Sequence, residues 1–279
     1  MTSGATLALV SAAAYGLSDF TGGLLARRAH FLVVAFFGQV GGLIVALVTA
    51  PLFAAAADWK SLAWGAISGA GTAVGMLLLF RGISRGAMSV VVPVSAVSGV
   101  ALPVLIGALW LGERPSLLAW AGIVAAIPAL WLVSHGHGTA GRSTAATVDA
   151  LLAGTGIALQ YLALAQADAA AGTWPVVTGR LAAIATLLPL LHRTMPRRPR
   201  ATALAILLSL VTGVLAALAL VCYLLATREE LVVIAVVLSS LYPAIPVLLG
   251  IAALGERLTR SQAFGLAAAA AALGLLTVG

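Results

Sequence analysis

Apolar residues run through this chain in stretches about as long as a bilayer is thick, broken only by short clusters of charge, glycine and proline. A hydrocarbon core of about 30 Å needs roughly 20 helical residues to cross it. Cutting at the polar gaps leaves ten segments: 4–26, 32–55, 61–82, 87–111, 116–134, 147–166, 173–191, 202–226, 231–253 and 261–278. The alternating ten-residue strands of a membrane barrel are absent from the pattern. Only helices and closed barrels satisfy every backbone group in lipid. The pattern therefore predicts an all-α integral membrane protein with ten transmembrane helices.

The segments also repeat. Leu111, Gly112, Glu113 and Arg114 return 143 residues later as Leu254, Gly255, Glu256 and Arg257. The same offset carries Arg85 onto Arg228, Pro103 onto Pro246, Gly107 onto Gly250 and Gly122 onto Gly265. An offset of about half the chain, held across several helices, marks a duplicated unit. The halves are residues 1–135 and 147–279, joined by a Gly-rich polar linker at 136–146. Five helices per half is an odd number, so the second half enters the membrane from the opposite side and the repeats are inverted.

Composition sharpens this picture. Charged residues make up 8% of the chain, against about 25% in soluble domains, so too little polar surface exists to cover a water-exposed globule. The net charge of +7 lies almost wholly in the gaps, where basic residues meet lipid headgroups. No basic stripe with interleaved aromatics points to nucleic acid. The single cysteine, Cys222, allows no intrachain disulfide. With no basic region before the first apolar run, that run reads as a membrane helix and not as a cleaved signal. Gaps after the odd-numbered segments hold eleven arginines, against Lys60, Arg114 and Arg228 on the other side. By the positive-inside rule both termini would face outward.

At this point the residues resemble a family. Gly86 to Val90, Pro93, Pro103 to Gly107, and Leu111 to Arg114, followed by Gly122, are similar to the EamA-like modules of the drug/metabolite transporter superfamily. Leu231, Pro243 to Val247 and Leu254 to Thr259 are similar to the second copy. Tyr15 to Phe20 resembles the aromatic-glycine part of the family's first helix. Gly172 to Pro175, with Arg180 beyond, resembles the opening of a module's second helix, where arginine is usual; the first half departs from this with Gln39. The resemblance covers essentially the whole chain. It implies secondary transport of small polar or amphipathic metabolites, such as amino acids or drugs, in the export direction, through a cavity between the modules. It also implies cytoplasmic termini, opposite to the charge count, and residence in the inner membrane as a monomer or homodimer without a cofactor.

Several residues are costly where they stand. Asp19 lies about 12 Å inside the core, counting 1.5 Å per residue back from Arg27, at an insertion cost of about 3 kcal/mol. It calls for a substrate amine, a coupled proton or a helix–helix bond. Ser11, Tyr15, Ser18 and Gly22 share one helical face, expected on a cavity, with Asp19 at its edge. Arg180 lies deep in the seventh segment and needs an anion or several carbonyls. Ser95 and Ser98, and Ser239, Ser240 and Tyr242, sit near Pro93, Pro103, Pro243 and Pro246 in the two related helices. There, carbonyls freed by proline suit both a substrate pathway and a bend. Gln39, Gln160, Tyr161, Cys222 and Tyr223 complete the polar set. Gly65, Gly69, Gly71 and Gly75 are spaced for close helix packing. Glu113 with Arg114, and Glu256 with Arg257, read as turn caps or headgroup contacts, with a gating pair as the sharper alternative. His135 and His137 in a glycine loop are too few for a metal site.

Two other classes compete with transport. An intramembrane enzyme needs a convergent nucleophile and base or a metal motif, and the apolar segments offer neither. A non-transporting receptor or scaffold needs a soluble loop or tail, and the loops are short. Under either, an inverted duplication has no purpose.

Overall fold

A computed structural model describes residues 3–52, 55–110, 116–134, 144–194, 202–229, 238–239 and 241–278. Among these the chain forms α1 (Ser3–Ala26), α2 (Phe31–Thr49), α3 (Trp59–Arg85), α4 (Met88–Trp110) and α5 (Leu117–Ser134). The second half forms α6 (Thr144–Leu164), α7 (Trp174–Thr194), α8 (Ala203–Glu229), α9 (Ala244–Leu254) and α10 (Arg260–Val278). No strand occurs among the described residues. Five helical stretches, 31–52, 59–85, 144–164, 174–194 and 203–223, are long and apolar enough to cross a bilayer. Glu113, Arg114, His135, His137, the linker to 143, and Ser240 lie outside the described residues, as do the side chains of Pro103 and Arg228.

Many bulky side chains face outward, while Phe80, Ile83, Met88, Leu187 and valines of α4 form a buried core. Leu117 is 88% exposed, and Ile127, Phe264, Leu204 and Val48 are also turned outward. The closest helix crossings are lined by glycine and other small residues, because lipid tails are as apolar as leucine and close backbone approach favours helix against helix. Gly65 and Gly69 of α3 lie against Pro175 and Gly179 of α7. Gly71 and Gly75, on another face of α3, lie against Gly156 and Ile157 of α6. A Cβ at Gly69 would overlap the Gly179 backbone, so this spacing packs the helices as the sequence predicts. Trp59 and Trp174 stand at the N-terminal ends of α3 and α7, where an aromatic ring suits the headgroup level.

The most extensive pairings all join one half to the other: α3 with α6 and α7, α1 and α2 with α8, α4 with α6, and α5 with α10. Their registers are informative. The Ser68 hydroxyl donates to the Gln160 carbonyl (2.9 Å), Gly75 meets Ile157, and Arg81 and Arg85 meet Asp149, so α3 and α6 run antiparallel. The repeat-related pair behaves alike: Ser11 donates to Ala219 O (2.7 Å) and Ser18 to Thr212 O (2.8 Å), so α1 and α8 are antiparallel too. The fifth helix of each half pairs with its counterpart. Gly122 of α5 lies against Ala272 and Leu276, and Gly265 of α10 against Ala129 and Val133. The 143-residue offset carries each of these contacts onto the other.

Two expectations need correcting. The ninth segment is not one helix bent at prolines: residues 241–243 form a turn and α9 begins at Ala244, with Pro243 as its N-cap. Pro243 and Pro246 therefore start a helix, where the missing N–H has no intrahelical partner to lose. Pro93 and Pro103, by contrast, lie within α4, which stays helical through both. Secondly, α3 continues to Arg85, so Arg81 and Arg85 belong to a helix end and not to a loop.

Candidate functional site

The chain's four tyrosines come from four places, and three of them lie near one carboxylate. Tyr15 of α1 and Tyr242 of the turn before α9 set their rings 5.9 Å apart at 51°. Tyr15, Tyr161 of α6 and Tyr242 each lie within electrostatic reach of Asp19, and Tyr223 of α8 reaches Tyr15 and Tyr161. Tyr161 is 49% exposed.

Asp19 is only 7% exposed and makes no hydrogen bond or ion pair among the described residues. Arg180 lies within electrostatic reach of Tyr15. Its Nη1 donates to Oε1 of Gln39 at 2.6 Å, and Gln39 is 2% exposed. The Arg180 side chain runs over Gly42, where an added Cβ would lie 3.1 Å from Nε. No ion pair joins Arg180 to Asp19.

The structure uses other predicted residues differently. Ser11 and Ser18 face α8 and spend their hydroxyls on its carbonyls; Gly22 lies against Phe80 and Thr212. That face of α1 is a packing seam, and Tyr15 and Asp19 beside it point to the tyrosine cluster. Ser95 and Ser98 donate to Val92 O (2.9 Å) and Val94 O (2.6 Å) within α4. The Ser239 hydroxyl donates to Ala8 O (3.3 Å). Gln160 lends its carbonyl to Ser68, and Cys222 is half-buried.

A second constellation lies where α1 and α3 end and α4 and α6 begin. Glu256, in the turn after α9, accepts from Arg27 Nη2 (2.7 Å), Met88 N–H (3.0 Å), Ser89 N–H (3.0 Å) and Ser89 Oγ (2.8 Å). A carboxylate on the first amides of a helix satisfies donors that have no intrahelical partner and meets the positive end of the dipole. Glu256 is therefore a cap in trans, from the second half onto α4 of the first. Burial pushes this carboxyl up, but the bonds from Arg27, Ser89 and Met88 outweigh it and hold it below its ordinary value. Nearby, Asp149 is 2% exposed and holds Arg81 and Arg85, the latter at 2.9 Å. Asp149 had a sequence signal, an acidic residue just inside an apolar segment. The trans cap had only the repetition of its motif.

An apolar-surfaced helical bundle with two interleaved halves is the build of a multi-pass membrane protein. The chain belongs to the EamA-like transporter family, whose model matches residues 2–135 and again 145–278, within the drug/metabolite transporter superfamily. A solved crystal structure shares the fold, with a TM-score of 0.59 and 16% identity over 98% of this chain and 96% of that one. A search of curated proteins returned no match.

Proposed function

We propose that this chain is a secondary transporter of the inner membrane. It exports small polar or amphipathic metabolites, of the size of amino acids or small drugs, by alternating access between two inverted five-helix repeats with ten spans in all. The observation that carries the reading is the contact of α5 with α10. The two helices meet antiparallel, at residues the repeat makes equivalent. A two-fold axis relating such helices is perpendicular to both, and so lies in the membrane plane. Halves related in that way can exchange conformations about a fixed central site, which yields one state open to each side.

Tyr15, Asp19, Gln160, Tyr161, Arg180, Tyr223 and Tyr242 line the pathway at the interface of the halves, with Gln39 holding Arg180. The prolines of α4, Pro93 and Pro103, give its ends freedom to move. Glu256 closes one face, because opening there separates the second half's turn from Arg27 and from the α4 N-terminus. Asp19 takes a proton when cargo leaves, which couples export to a proton gradient.

The test is a metabolite comparison between cells overproducing the protein and cells producing Asp19→Asn at equal level. The expected result is at least one small metabolite whose extracellular share rises several-fold with the native chain and not with the variant. An unchanged metabolite profile with the native chain refutes transport. Unchanged export by Asp19→Asn removes the carboxylate from the pathway. Collapse of the pH gradient stops export if the coupling holds.

A further inference from the structure

Positive charge gathers at the end of the bundle where α1, α3 and α7 finish and α4, α6 and α10 begin. α7 runs parallel to α3, since Gly65 meets Pro175 and Gly69 meets Gly179, so Arg193 comes to the same end as Arg85. Arg28, Arg193, Arg257 and Arg260 are all exposed there. Among the described residues this end has two carboxylates, Glu256 and Asp149. Glu256 takes one cation, Arg27, which spends further donors on the carbonyls of Ile83 (3.3 Å) and Gly86 (3.1 Å).

Asp149 of α6 takes two. Its Oδ1 accepts from Nε (3.1 Å) and Nη2 of Arg81, and its Oδ2 from Nη1 of Arg85 (2.9 Å). Each guanidinium has five N–H donors, so most of those on the pair are left over. Asp149 lies behind them at 2% exposure, while the side chains of Arg81 and Arg85 are 30% and 45% exposed. Two cations on one carboxylate leave one positive charge, and it is turned outward. That charge closes a lipid-facing stripe. Ile67 and Val74 precede Arg81 on α3 at steps of seven, which is one helix face, and both are exposed. From Ile67 to Arg81 is about 21 Å of helix, more than the half-thickness of a hydrocarbon core, about 15 Å. α6, packed antiparallel on α3, turns Leu152 and Leu159 outward as well.

We propose that this face binds one anionic glycerophospholipid, its phosphodiester on Arg81 and Arg85 and its acyl chains along the outward sides of α3 and α6. The single negative charge of a phosphodiester brings the group to neutrality, and its oxygens match the donor fork of an arginine. A zwitterionic lipid carries a cation of its own, which the surplus charge repels. Asp149 sets the two guanidiniums side by side and keeps to their inner face. Since α3 belongs to the first half and α6 to the second, the bound lipid ties the halves together at this end. The inference rests on the chain lying in a membrane and not on what it carries.

The experiment offers phosphatidylglycerol or phosphatidylcholine, with the same acyl chains, to the full chain in detergent and counts retained lipids by native mass spectrometry. The expected result is one phosphatidylglycerol held at least tenfold more tightly than phosphatidylcholine. Equal retention of the two by the native chain overturns the proposal. Glycerophosphoglycerol, the same headgroup without acyl chains, is expected to leave the lipid in place. Displacement of the lipid at matched concentration assigns the arginines to a soluble anion and overturns the lipid.

Three variants locate the site. Arg85→Gln leaves the pairing of Arg81 with Asp149 in place and is expected to abolish the tenfold preference at an unchanged size-exclusion profile. Arg85→Lys keeps the charge and is expected to retain most of the preference. Arg28→Gln removes an exposed cation from the same end of the bundle and is expected to retain all of it. Equal loss in Arg28→Gln and Arg85→Gln assigns the lipid to the general charge of that end and overturns the site. An undiminished preference in Arg85→Gln overturns it as well.

Discussion

A buried polar side chain in a membrane bundle announces itself by cost, but cost names no partner. Asp19 and Arg180 stand out in the sequence because each sits in an apolar run. That Arg180 is held by Gln39 follows from the approach of α2 to α7, 141 positions apart in the chain. The helical wheel groups Ser11, Ser18 and Gly22 correctly on one face, yet periodicity cannot say whether that face meets a cavity or another helix. Two predictions belong at this scale. Gln39→Leu leaves the deepest arginine without its acceptor, and should cost about 1–3 kcal/mol of stability, read as a lower thermal midpoint in detergent. Gly69→Leu would thrust a side chain into the Gly179 backbone, and should reduce folded protein sharply, read by size-exclusion chromatography. A wild-type midpoint in either variant would contradict the packing described.

Among the elements, α4 depends most on something outside itself. Its first amides are satisfied by Glu256, a residue 167 positions from Ser89. The repeated motif made that glutamate visible, and a cap within its own turn was the local reading. The longer reach comes from α9 delivering its C-terminal turn beside α4, which no short window of sequence contains. Asp149 lies near the start of an apolar segment, and α3 runs on far enough for Arg81 and Arg85 to pair with it. The folded Glu256 carboxyl is held below its ordinary value of 4.5. A depressed group contributes stability that is present above the unfolded value and lost as pH falls through the folded one. Acidification from about pH 5 downward should thus lower the thermal midpoint of the native chain more than that of Glu256→Gln. Parallel pH profiles for the two proteins would count against the trans cap.

Across the whole molecule, the all-helical fold and the division into two repeats are legible in the apolar runs and the 143-residue offset. Helix number and short gaps are written locally, whereas the interleaving of the halves is a property of surfaces and had to be seen. The proposed ten spans require both termini on one side of the membrane and the linker on the other. In a Cys222→Ala background, single cysteines replacing Ser3, Thr144 and Val278 should react with an impermeant maleimide in two groups, position 3 with position 278 and position 144 alone. A cysteine in place of Thr144 that reacts from the same side as the termini would rule out inverted repeats. The side that reacts in intact cells also decides between the arginine count and the orientation the resemblance implies.

The seams between α3 and α6, and between α1 and α8, have a consequence for biosynthesis. Each half presents its glycine- and serine-lined surfaces to the other and keeps few broad contacts for itself. A ribosome that has released only the first five helices has therefore made a set of rods without a mould, and the nascent chain waits for its complement. Two separately translated fragments, cut within the linker, should find each other in the bilayer and restore export, while either fragment alone should be cleared by proteolysis.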